Sequence, residues 1–517
     1  MKNLNQSNPT QAMGDRVFSF PLVYGILFAG VALRLAGLNA SALWYDEAFS
    51  LVITRQGLFE MVRSLATNIS PPGWEILLWF VTRLIGYTEL SARIIPLLAS
   101  VATLWVAYRL THEFGLSPAQ QIVALALLAL LPYQFWIAHE SRMYAVYSLL
   151  YTLGVLWAFQ GRWIGLGAVM GLMLWFHNTA VFYIPALLLV ALLWHPRKWK
   201  SIVGVALLPA ISWALWWPVF LYQAQGQIPG FPPFTLSHFA TNLAGAFFAD
   251  TLKEGWQFFG FLAVLLSSLA AIWKTLRLGW AWLTRRKVSA NESDPVIPLT
   301  NLSRETNSAI LLMLAVLFPL VLLALFAILF QNVLWYRTLS PLIPCWVLWL
   351  SPTLAFQQSG RKALTLVRVI LPALWTWVMI AALVGWSPVS RGSNLHEIVS
   401  LIRSEWQPGD IVYHGTGTTA VLFDFYLPDA PHFLLNENSV VGSAITEVVK
   451  INAPEAGLEN IPYHRAWIVW SHDEVTQKMK ERVDERMAGY VKNCQIVGRM
   501  LYWQHWTTEI YLCRKVE

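Results

Sequence analysis

The chain has 517 residues, of which 56% are hydrophobic, 14% aromatic and only 13% charged. Such an apolar composition, with a mean hydropathy of +0.50, excludes a water-soluble globular protein. The formal net charge of +7 is compatible with nucleic-acid binding. However, the basic residues cluster in short loops between apolar runs, as the positive-inside bias of membrane proteins requires. We therefore expect a lipid bilayer, and no nucleic acid, as a partner.

Apolar runs suited to crossing a membrane recur along the chain. A hydrocarbon core of about 30 Å requires roughly 20 apolar residues per helix, and about eleven runs approach this length. The predicted fold class is therefore mainly α, a polytopic transmembrane helical bundle. The predicted spans are residues 18–35, 90–110, 120–138, 144–159, 163–176, 181–194, 202–221, 258–273, 310–330, 339–356 and 369–386.

The basic segments indicate how the chain is threaded. They lie in the tail and in three loops, residues 1–17, 195–200, 274–287 and 361–368. Placing them inside gives a cytoplasmic N-terminus, an odd number of spans and an extracytoplasmic C-terminus. The first run is long for a signal peptide and contains Arg34, so we favour a retained helix over cleavage after it. We expect an integral multi-pass protein of the cell inner or plasma membrane.

Two regions lie outside the predicted spans. The first external loop, residues 38–88, has polar and apolar residues at helical spacing, which predicts amphipathic helices in the outer membrane interface. Residues 391–517 alternate strand-like and helix-like runs, which predicts a small external α/β domain. The predicted organisation is a cytoplasmic tail (1–17), a transmembrane domain (18–390) and this C-terminal domain.

Three cysteines raise the question of a disulfide. Cys345 falls in a predicted span, whereas Cys494 and Cys513 flank two strand-like runs around residues 504–505. A hairpin there would set the two cysteines opposite each other, and a disulfide forms in oxidising compartments. Two unpaired thiols in a small core are the alternative.

The stretch SALWYDEAFS, residues 41–50, places two adjacent carboxylates after the first predicted span. Asp46 and Glu47 could simply begin a solvated helix, because acidic residues suit a helix N-terminus. Their aromatic and apolar neighbours instead favour partial burial, where an unpaired carboxylate is costly and marks function. Such a carboxylate can act as a general base or hold a divalent metal. No further metal ligands stand at a persuasive spacing, so we favour the base and expect no cofactor to be required.

Cationic side chains fall at the same predicted membrane face. Arg142 and Arg337 lie at the outer ends of predicted helices, where they could snorkel to lipid headgroups. A guanidinium is also the favoured fork for a phosphate, so two converging on one cavity would suit a lipid phosphate. His139 and His177 are candidates for acid–base or ligand roles, with ordinary interface histidines as the alternative.

Four motifs occur in series: LWYDEAFS, SPPGWEILLWFVTRLIGYTELSARIIPLL, HESRMYAVYSLL and WYRTLSPLIP. In this order they resemble the membrane glycosyltransferases of the GT-C superfamily, in the branch that contains protein O-mannosyltransferases and lipid A aminoarabinose transferases. The resemblance covers residues 15–390 and is strongest over residues 43–115. Asn68 and Ser70 depart from it, since many relatives have Asp and His at these positions. This argues against a second carboxylate or a metal ligand from the first external loop.

The resemblance implies a glycosyltransferase with a polyprenyl-phosphate sugar donor and a protein, lipid or glycan acceptor. Such an enzyme is expected to act at the extracytoplasmic face and to invert the configuration at the anomeric carbon. The expected catalytic residues are Asp46, which matches the Asp that serves as the base, and Glu47, which matches the acidic residue that follows it. The residues expected to contact the substrates are Arg142 and Arg337 for the donor phosphate and, as further contacts, Tyr144, Tyr336, His139 and His177.

Two other classes of protein are alternatives. A transporter or flippase of lipid-linked glycans would place ionisable residues near the bilayer midplane, often with repeat symmetry. Here the charges lie at the edges of the spans, and the two halves of the chain differ. A sensor or scaffold whose outer domain binds a partner would need only one span as an anchor.

Overall fold

The structure is a computed structural model that describes residues 9–225, 233–253, 255–289, 304–355, 362–386, 394–435, 440–471, 477–502 and 506–515. Helices build the chain up to residue 405. The first twelve are α1 (Pro9–Leu35), α2 (Tyr45–Ile53), α3 (Leu58–Leu65), α4 (Gly73–Ile85), α5 (Glu89–Glu113), α6 (Pro118–Leu130), α7 (Pro132–His139), α8 (Tyr144–Gln160), α9 (Trp163–Phe176), α10 (Ala180–Trp194), α11 (Trp199–Ala214) and α12 (Trp217–Gln225). The next are α13 (Leu236–Phe248), α14 (Trp256–Ser289), α15 (Arg304–Leu329), α16 (Leu342–Leu354) and α17 (Lys362–Gly385).

Membrane-spanning length is reached by fewer helices than predicted. Among the described residues, three helices are long and apolar enough to cross a membrane: Glu89–Glu113, Trp256–Ala281 and Arg304–Leu329. Two bent helix pairs raise the number to five if each pair is one span, and four further apolar helices are shorter. The predicted count of about eleven spans is therefore not confirmed.

Prolines lie at a bend inside one predicted span and at a turn between two others. α6 and α7 meet at an angle of 47° directly before Pro132, and the chain turns by 115° between α10 and the segment that begins at Pro196. Proline lacks a backbone N–H and clashes with the preceding turn, which favours a kink or a break at these positions. The bend before Pro132 was not predicted, whereas the turn at Pro196 lies in the predicted basic loop, residues 195–200.

The first loop contains the predicted amphipathic helices and one more. α3 and α4 correspond to the two predicted helices, and α4 exposes Phe80, Leu84 and Ile85 while it buries Trp74. α2 was not predicted as a separate helix. It is almost wholly buried beyond Asp46, because it packs against α4 on one side and against the C-terminal domain on the other.

The C-terminal region is an α/β domain, as predicted. Its helices are α18 (Leu395–Glu405), α19 (Gly417–Tyr426), α20 (Val440–Val449) and α21 (Gln477–Val491). Its strands are β1 (Asp410–His414), β2 (His432–Leu434), β3 (Arg465–Ser471), β4 (Gln495–Tyr502) and β5 (Trp506–Arg514), in the sheet order β2-β1-β3-β5-β4. β1 pairs in parallel with β2 and β3, whereas β5 pairs antiparallel with β3 and β4.

The last two strands form the predicted hairpin. Cys494, directly before β4, lies opposite Cys513 in β5, and the two form a disulfide with their Cα atoms 4.6 Å apart. Of the two alternatives left open by the sequence, the structure has the disulfide. The tip of the hairpin, residues 503–505, lies outside the described residues. The bridge therefore closes the open end of the hairpin at the edge of the sheet.

Candidate active site

The start of α2 is set by its own first turn. The backbone of Trp44 is extended, and its N–H donates to Oε2 of Glu47 at 3.1 Å. A glutamate at the third helical position that binds back to the N-cap residue is one half of a capping box. The acidic residues also complement the positive end of the helix dipole. Asp46 is consequently held in the first turn of a helix whose starting point is defined.

Glu47 is buried among three parts of the chain. Its Oε1 accepts from the backbone N–H of Ser141 at 2.6 Å, and its Oε2 lies 3.3 Å from a guanidinium nitrogen of Arg93 in α5. Arg93 also donates to the carbonyl groups of Ser41 and Ala42. Both partners of this ion pair are nearly inaccessible to solvent. Glu47 therefore joins α2 to α5 and to the segment before α8.

Asp46 faces a different arginine from that of its neighbour. Its Oδ2 lies 3.6 Å from a guanidinium nitrogen of Arg337, in the segment between α15 and α16. The guanidinium of Arg337 lies 4.5 Å from the ring of Trp44, with Tyr144 and Tyr336 at 5.9 Å and 5.7 Å. Cations are attracted to aromatic faces at these distances. Arg337 is thus fixed beside Asp46 by rings from three segments.

Arg142 approaches the same turn of α2 from another direction. One of its nitrogens donates to Ser50 Oγ at 2.9 Å and to the carbonyl oxygen of Asp46 at 3.5 Å. The same nitrogen lies 3.9 Å from Oε1 of Glu75, which accepts from Ser50 at 3.0 Å. The Nε of Arg142 has no hydrogen-bond partner among the residues that the structure describes. Arg142 therefore retains a free donor. We call the groups around the first turn of α2 the cluster: Asp46, Glu47, Glu75, Glu140, Arg142 and Arg337, with the rings of Trp44, Tyr144 and Tyr336.

The two arginines keep their charges although they are buried. Burial alone would lower the pKa of Arg142, but Asp46, Tyr144 and further carboxylates raise it above its ordinary value. The pKa of Arg337 is likewise raised against the effect of burial, by Tyr336, Glu140 and their neighbours. A buried guanidinium surrounded by anionic groups stays protonated at every physiological pH.

Two carboxylates of the cluster were not predicted from the sequence. Glu75 reaches it from α4, which starts against α9 so closely that a Cβ at Gly73 would lie 2.3 Å from the carbonyl oxygen of Trp175. Burial raises the pKa of Glu75, while Arg142 opposes that shift. Glu140 lies 4.0 Å from the same guanidinium nitrogen of Arg337 that faces Asp46. Both are ionisable residues within apolar motifs, and that signal could have identified them.

The remaining predicted contacts lie in the cluster, at its margin or apart from it. Tyr144 and Tyr336 belong to the cluster through Arg337. His177 lies at its margin, where its ring stacks on Tyr147 at 5.5 Å and burial lowers its pKa to about 4. His139 lies apart from these groups, since its Nε2 bonds to the carbonyl oxygen of Arg34 at 2.7 Å. The structure thus brings together six predicted residues, namely Asp46, Glu47, Arg142, Arg337, Tyr144 and Tyr336.

No dedicated metal centre is evident in the described part of the chain. There, no group of three or more His, Cys, Asp or Glu side chains is arranged to hold a metal ion. The carboxylates of the cluster are instead interleaved with guanidinium groups, which repel a cation. Independence from a metal remains a prediction.

Comparisons with known proteins agree with this architecture. Residues 70–222 match the model of the family dolichyl-phosphate-mannose-protein mannosyltransferase, a segment that includes Glu75, Glu140 and Arg142. No curated protein sequence matches the chain.

Two crystal structures of ArnT from Cupriavidus metallidurans have a similar fold. The apo structure gives a TM-score of 0.54 at 12% sequence identity and covers 97% of this chain and 98% of that one. The structure bound to undecaprenyl phosphate gives 0.51 at 13% identity and covers 95% and 97%. Identities this low establish the fold alone. Together with the family match, this whole-chain similarity confirms the resemblance of this multi-pass membrane protein to the glycosyltransferases of the GT-C superfamily.

Proposed function

We propose that this protein transfers a sugar from a polyprenyl-phosphate-linked donor to an acceptor hydroxyl at the extracytoplasmic membrane face, with inversion and with Asp46 as the general base. The observation that carries the proposal is the 3.6 Å approach of Asp46 to Arg337, with Arg142 on the same turn of α2. The similarity to a structure that binds undecaprenyl phosphate supports the class of donor.

Exposure distinguishes Asp46 from the other carboxylates of the cluster. Its side chain is 30% exposed, whereas those of Glu47, Glu75 and Glu140 are 2%, 5% and 1% exposed. A general base must come within hydrogen-bond reach of the proton that it removes. Of these four carboxylates, Asp46 is the one with room for an acceptor beside it.

The reaction follows from the charges around this carboxylate. The acceptor O–H passes its proton to Asp46 as its oxygen attacks the anomeric carbon. The bond from that carbon to the phosphate oxygen breaks on the opposite face, and its electron pair leaves with the phosphate. The donor phosphodiester carries one negative charge, so a second develops in the transition state. Arg142 and Arg337 are placed to stabilise that charge, which leaves no need for an acid.

The other carboxylates support the arginines. We assign Glu47 a positioning role, because both of its oxygens are occupied by Ser141, Arg93 and Trp44. Glu75 positions Arg142, because its Oε1 lies 3.9 Å from the guanidinium and accepts from Ser50, to which Arg142 also donates. Glu140 places a second carboxyl group beside the nitrogen of Arg337 that faces Asp46. The stacking of a sugar on Tyr144 and Tyr336 stays a prediction, since both rings are buried around Arg337.

Two observations support the extracytoplasmic placement of the site. His177, at the cluster margin, precedes α10, whereas the basic residues 197–200 follow it, so the site and the basic loop lie at opposite ends of one helix. Basic loops favour the cytoplasmic side. The disulfide between Cys494 and Cys513 fits an oxidising compartment for the C-terminal domain.

The test is sugar transfer by the purified protein in detergent, with radiolabelled polyprenyl-phosphate hexoses and an extract of its own membranes as the source of acceptor. Asp46→Asn keeps the shape of the side chain but removes the base, and we expect a loss of about 10²-fold or more. The matched control is Asp429→Asn, at an exposed position of the C-terminal domain, which should transfer at the wild-type rate.

Turnover by Asp46→Asn at the rate of the control would exclude Asp46 as the base. If the wild-type protein moves labelled donor across the membrane of sealed vesicles and forms no product, it is a transporter and not a glycosyltransferase. Lipid binding and thermal unfolding of both variants, measured in parallel, show whether each is folded.

A further inference from the structure

The C-terminal domain makes polar contacts with the chain directly before and directly after α2. Beyond the helix, Arg55 pairs with Asp424 of α19 at 2.5 Å, and Gln56 donates to the carbonyl oxygen of Val448 in α20 at 2.6 Å. Before the helix, the backbone N–H of Leu43 donates to the hydroxyl of Tyr426 at 2.7 Å. α19 packs along α2 between these contacts. The helix that carries Asp46 is thus clamped from outside the transmembrane bundle.

The hydroxyl of Tyr426 makes two hydrogen bonds of opposite polarity. Its oxygen accepts from Leu43, and its O–H donates to Oε1 of Glu89, the first residue of α5. His396 of α18 also lies 2.6 Å from that carboxylate oxygen. Burial, followed by the charge of Glu89, raises the pKa of Tyr426 and keeps the phenol protonated. The hydroxyl therefore acts as a bridge between α5 and the segment that enters α2.

Three groups fix the four residues that lead into the helix. Arg93, one turn after Glu89, binds the carbonyl oxygens of Ser41 and Ala42. Tyr426 binds the N–H of Leu43, and Glu47 binds the N–H of Trp44. Two of these groups belong to the transmembrane part. The third, Tyr426, is contributed by the C-terminal domain.

This segment bears directly on the proposed site. Trp44 follows Leu43, and its ring lies 4.5 Å from the guanidinium of Arg337. Asp46 stands two residues further on and faces the same guanidinium. A displacement of Leu43 therefore moves the proposed base and the proposed phosphate ligand relative to each other. Misplacements on the order of 1 Å can cost about 10²-fold in rate.

We propose that Tyr426 is a positioning residue for the reaction: its hydroxyl holds the entry of α2, so that the C-terminal domain completes the active site. The role deepens the proposed function and rests on it. This role differs from binding an acceptor, because Tyr426 contacts the segment that enters α2 and not a substrate. It also explains why the domain docks on α2 through polar groups at both ends of the helix.

The experiment compares Tyr426→Phe with Tyr490→Phe. Tyr490 lies in the same domain and also donates its hydroxyl to a carboxylate, that of Glu459, so the control removes the same kind of bond away from α2. We expect Tyr426→Phe to lower kcat by about tenfold while the KM for the donor changes by less than about twofold. Tyr490→Phe should leave both constants unchanged.

A second readout does not depend on activity. Hydrogen exchange of the Leu43 amide should quicken by about tenfold in Tyr426→Phe, because its acceptor is gone, and should stay unchanged in the control. Glu89→Gln retains an oxygen that accepts from Tyr426, so it should behave like the wild type, whereas Glu89→Leu should resemble Tyr426→Phe. Rescue by glutamine separates positioning from a loss of fold.

Unchanged exchange at Leu43 in Tyr426→Phe would overturn the proposal, and so would faster exchange with an unaltered kcat. If the wild type transfers no sugar, the proposed function fails first. A change in exchange confined to residues 41–47 would then show that the clamp exists, but its catalytic role would fall with the proposed function.

Discussion

Asp46 and Glu47 show how far two adjacent carboxylates can differ. Successive residues on an α-helix point about 100° apart, so one side chain faces Arg337 while the next faces Arg93 and the segment before α8. Glu47 accepts hydrogen bonds on both oxygens and is nearly inaccessible, whereas Asp46 is partly open. Of the two adjacent acidic residues, one is therefore a candidate base and the other is a buried structural carboxylate.

At the scale of single residues, the surroundings of Arg337 predict that lysine cannot replace it. Lysine keeps the charge but loses the planar fork that lies against Trp44 and reaches a phosphate bidentately. We expect Arg337→Lys to lower kcat/KM for the lipid-linked donor by about tenfold or more. Steady-state kinetics with varied donor concentration measures this kcat/KM.

The control for this substitution is Arg63→Lys, at an exposed position on α3. It should change kcat/KM by less than about twofold, since surface arginines of this kind make replaceable contacts. If Arg337→Lys behaves like Arg63→Lys, Arg337 is not a ligand of the donor phosphate.

At the scale of elements, the entry of α2 depends on long-range partners more than on its own composition. Its nine residues are too few for a stable isolated helix. Glu47 begins the helix by capping Trp44, but its ion pair with Arg93 is what ties this turn to α5. Removing one partner of a buried ion pair leaves an uncompensated charge, which costs more than the pair contributes.

We therefore expect Glu47→Gln to destabilise the protein by about 3 kcal/mol or more, because Arg93 stays charged and buried. The measurement is thermal unfolding in detergent, with Glu60→Gln at an exposed position of α3 as the matched control. A glutamate that acted only in catalysis would lose activity in the variant without a fall in Tm. That outcome would contradict the positioning role assigned to Glu47.

At the scale of the whole molecule, the stability of the C-terminal domain is linked to pH through two buried histidines. His414 in β1 and His432 in β2 are stacked, with Nε2 of His414 3.0 Å from Nδ1 of His432. Nε2 of His432 donates to the carbonyl oxygen of Leu427 at 2.9 Å. Burial lowers the pKa of both, and each is therefore neutral in the folded domain. Asp424 and Arg55, the pair that clamps α2, act on His432 in opposite directions.

In the unfolded chain a histidine titrates near pKa 6.5, so between that value and the lower folded pKa the unfolded state binds more protons. The stabilisation is present above about pH 6.5 and is lost as the pH falls below it. We expect the Tm of the C-terminal domain to fall between about pH 7.5 and about pH 5.5, and His414→Gln to weaken this dependence. His464→Gln, at an exposed histidine, is the control. An equal pH dependence in all three proteins would rule out the buried pair as its source.

Local patterns in the sequence were sufficient for much of the architecture. Amphipathic spacing predicted α3 and α4, alternating apolar runs predicted β1 and β3, and the spacing of Cys494 and Cys513 allowed the hairpin with its disulfide. Each of these signals arises within a short window, because helices and hairpins satisfy their backbone hydrogen bonds locally. The bend before Pro132, inside one predicted span, shows the limit of counting spans from apolar length.

By itself the sequence determined that this is a helical membrane protein with a carboxylate pair after its first span, two arginines in later motifs and an α/β domain at the C-terminus. Only the tertiary structure decided which groups meet. Glu75 joins Asp46 from α4 and Glu140 from the residue after α7, and Tyr426 reaches Leu43 across 383 positions. Periodicity records which face of an element is buried, but not its partner. The site and its clamp depend on packing between distant segments, and that packing leaves no local pattern.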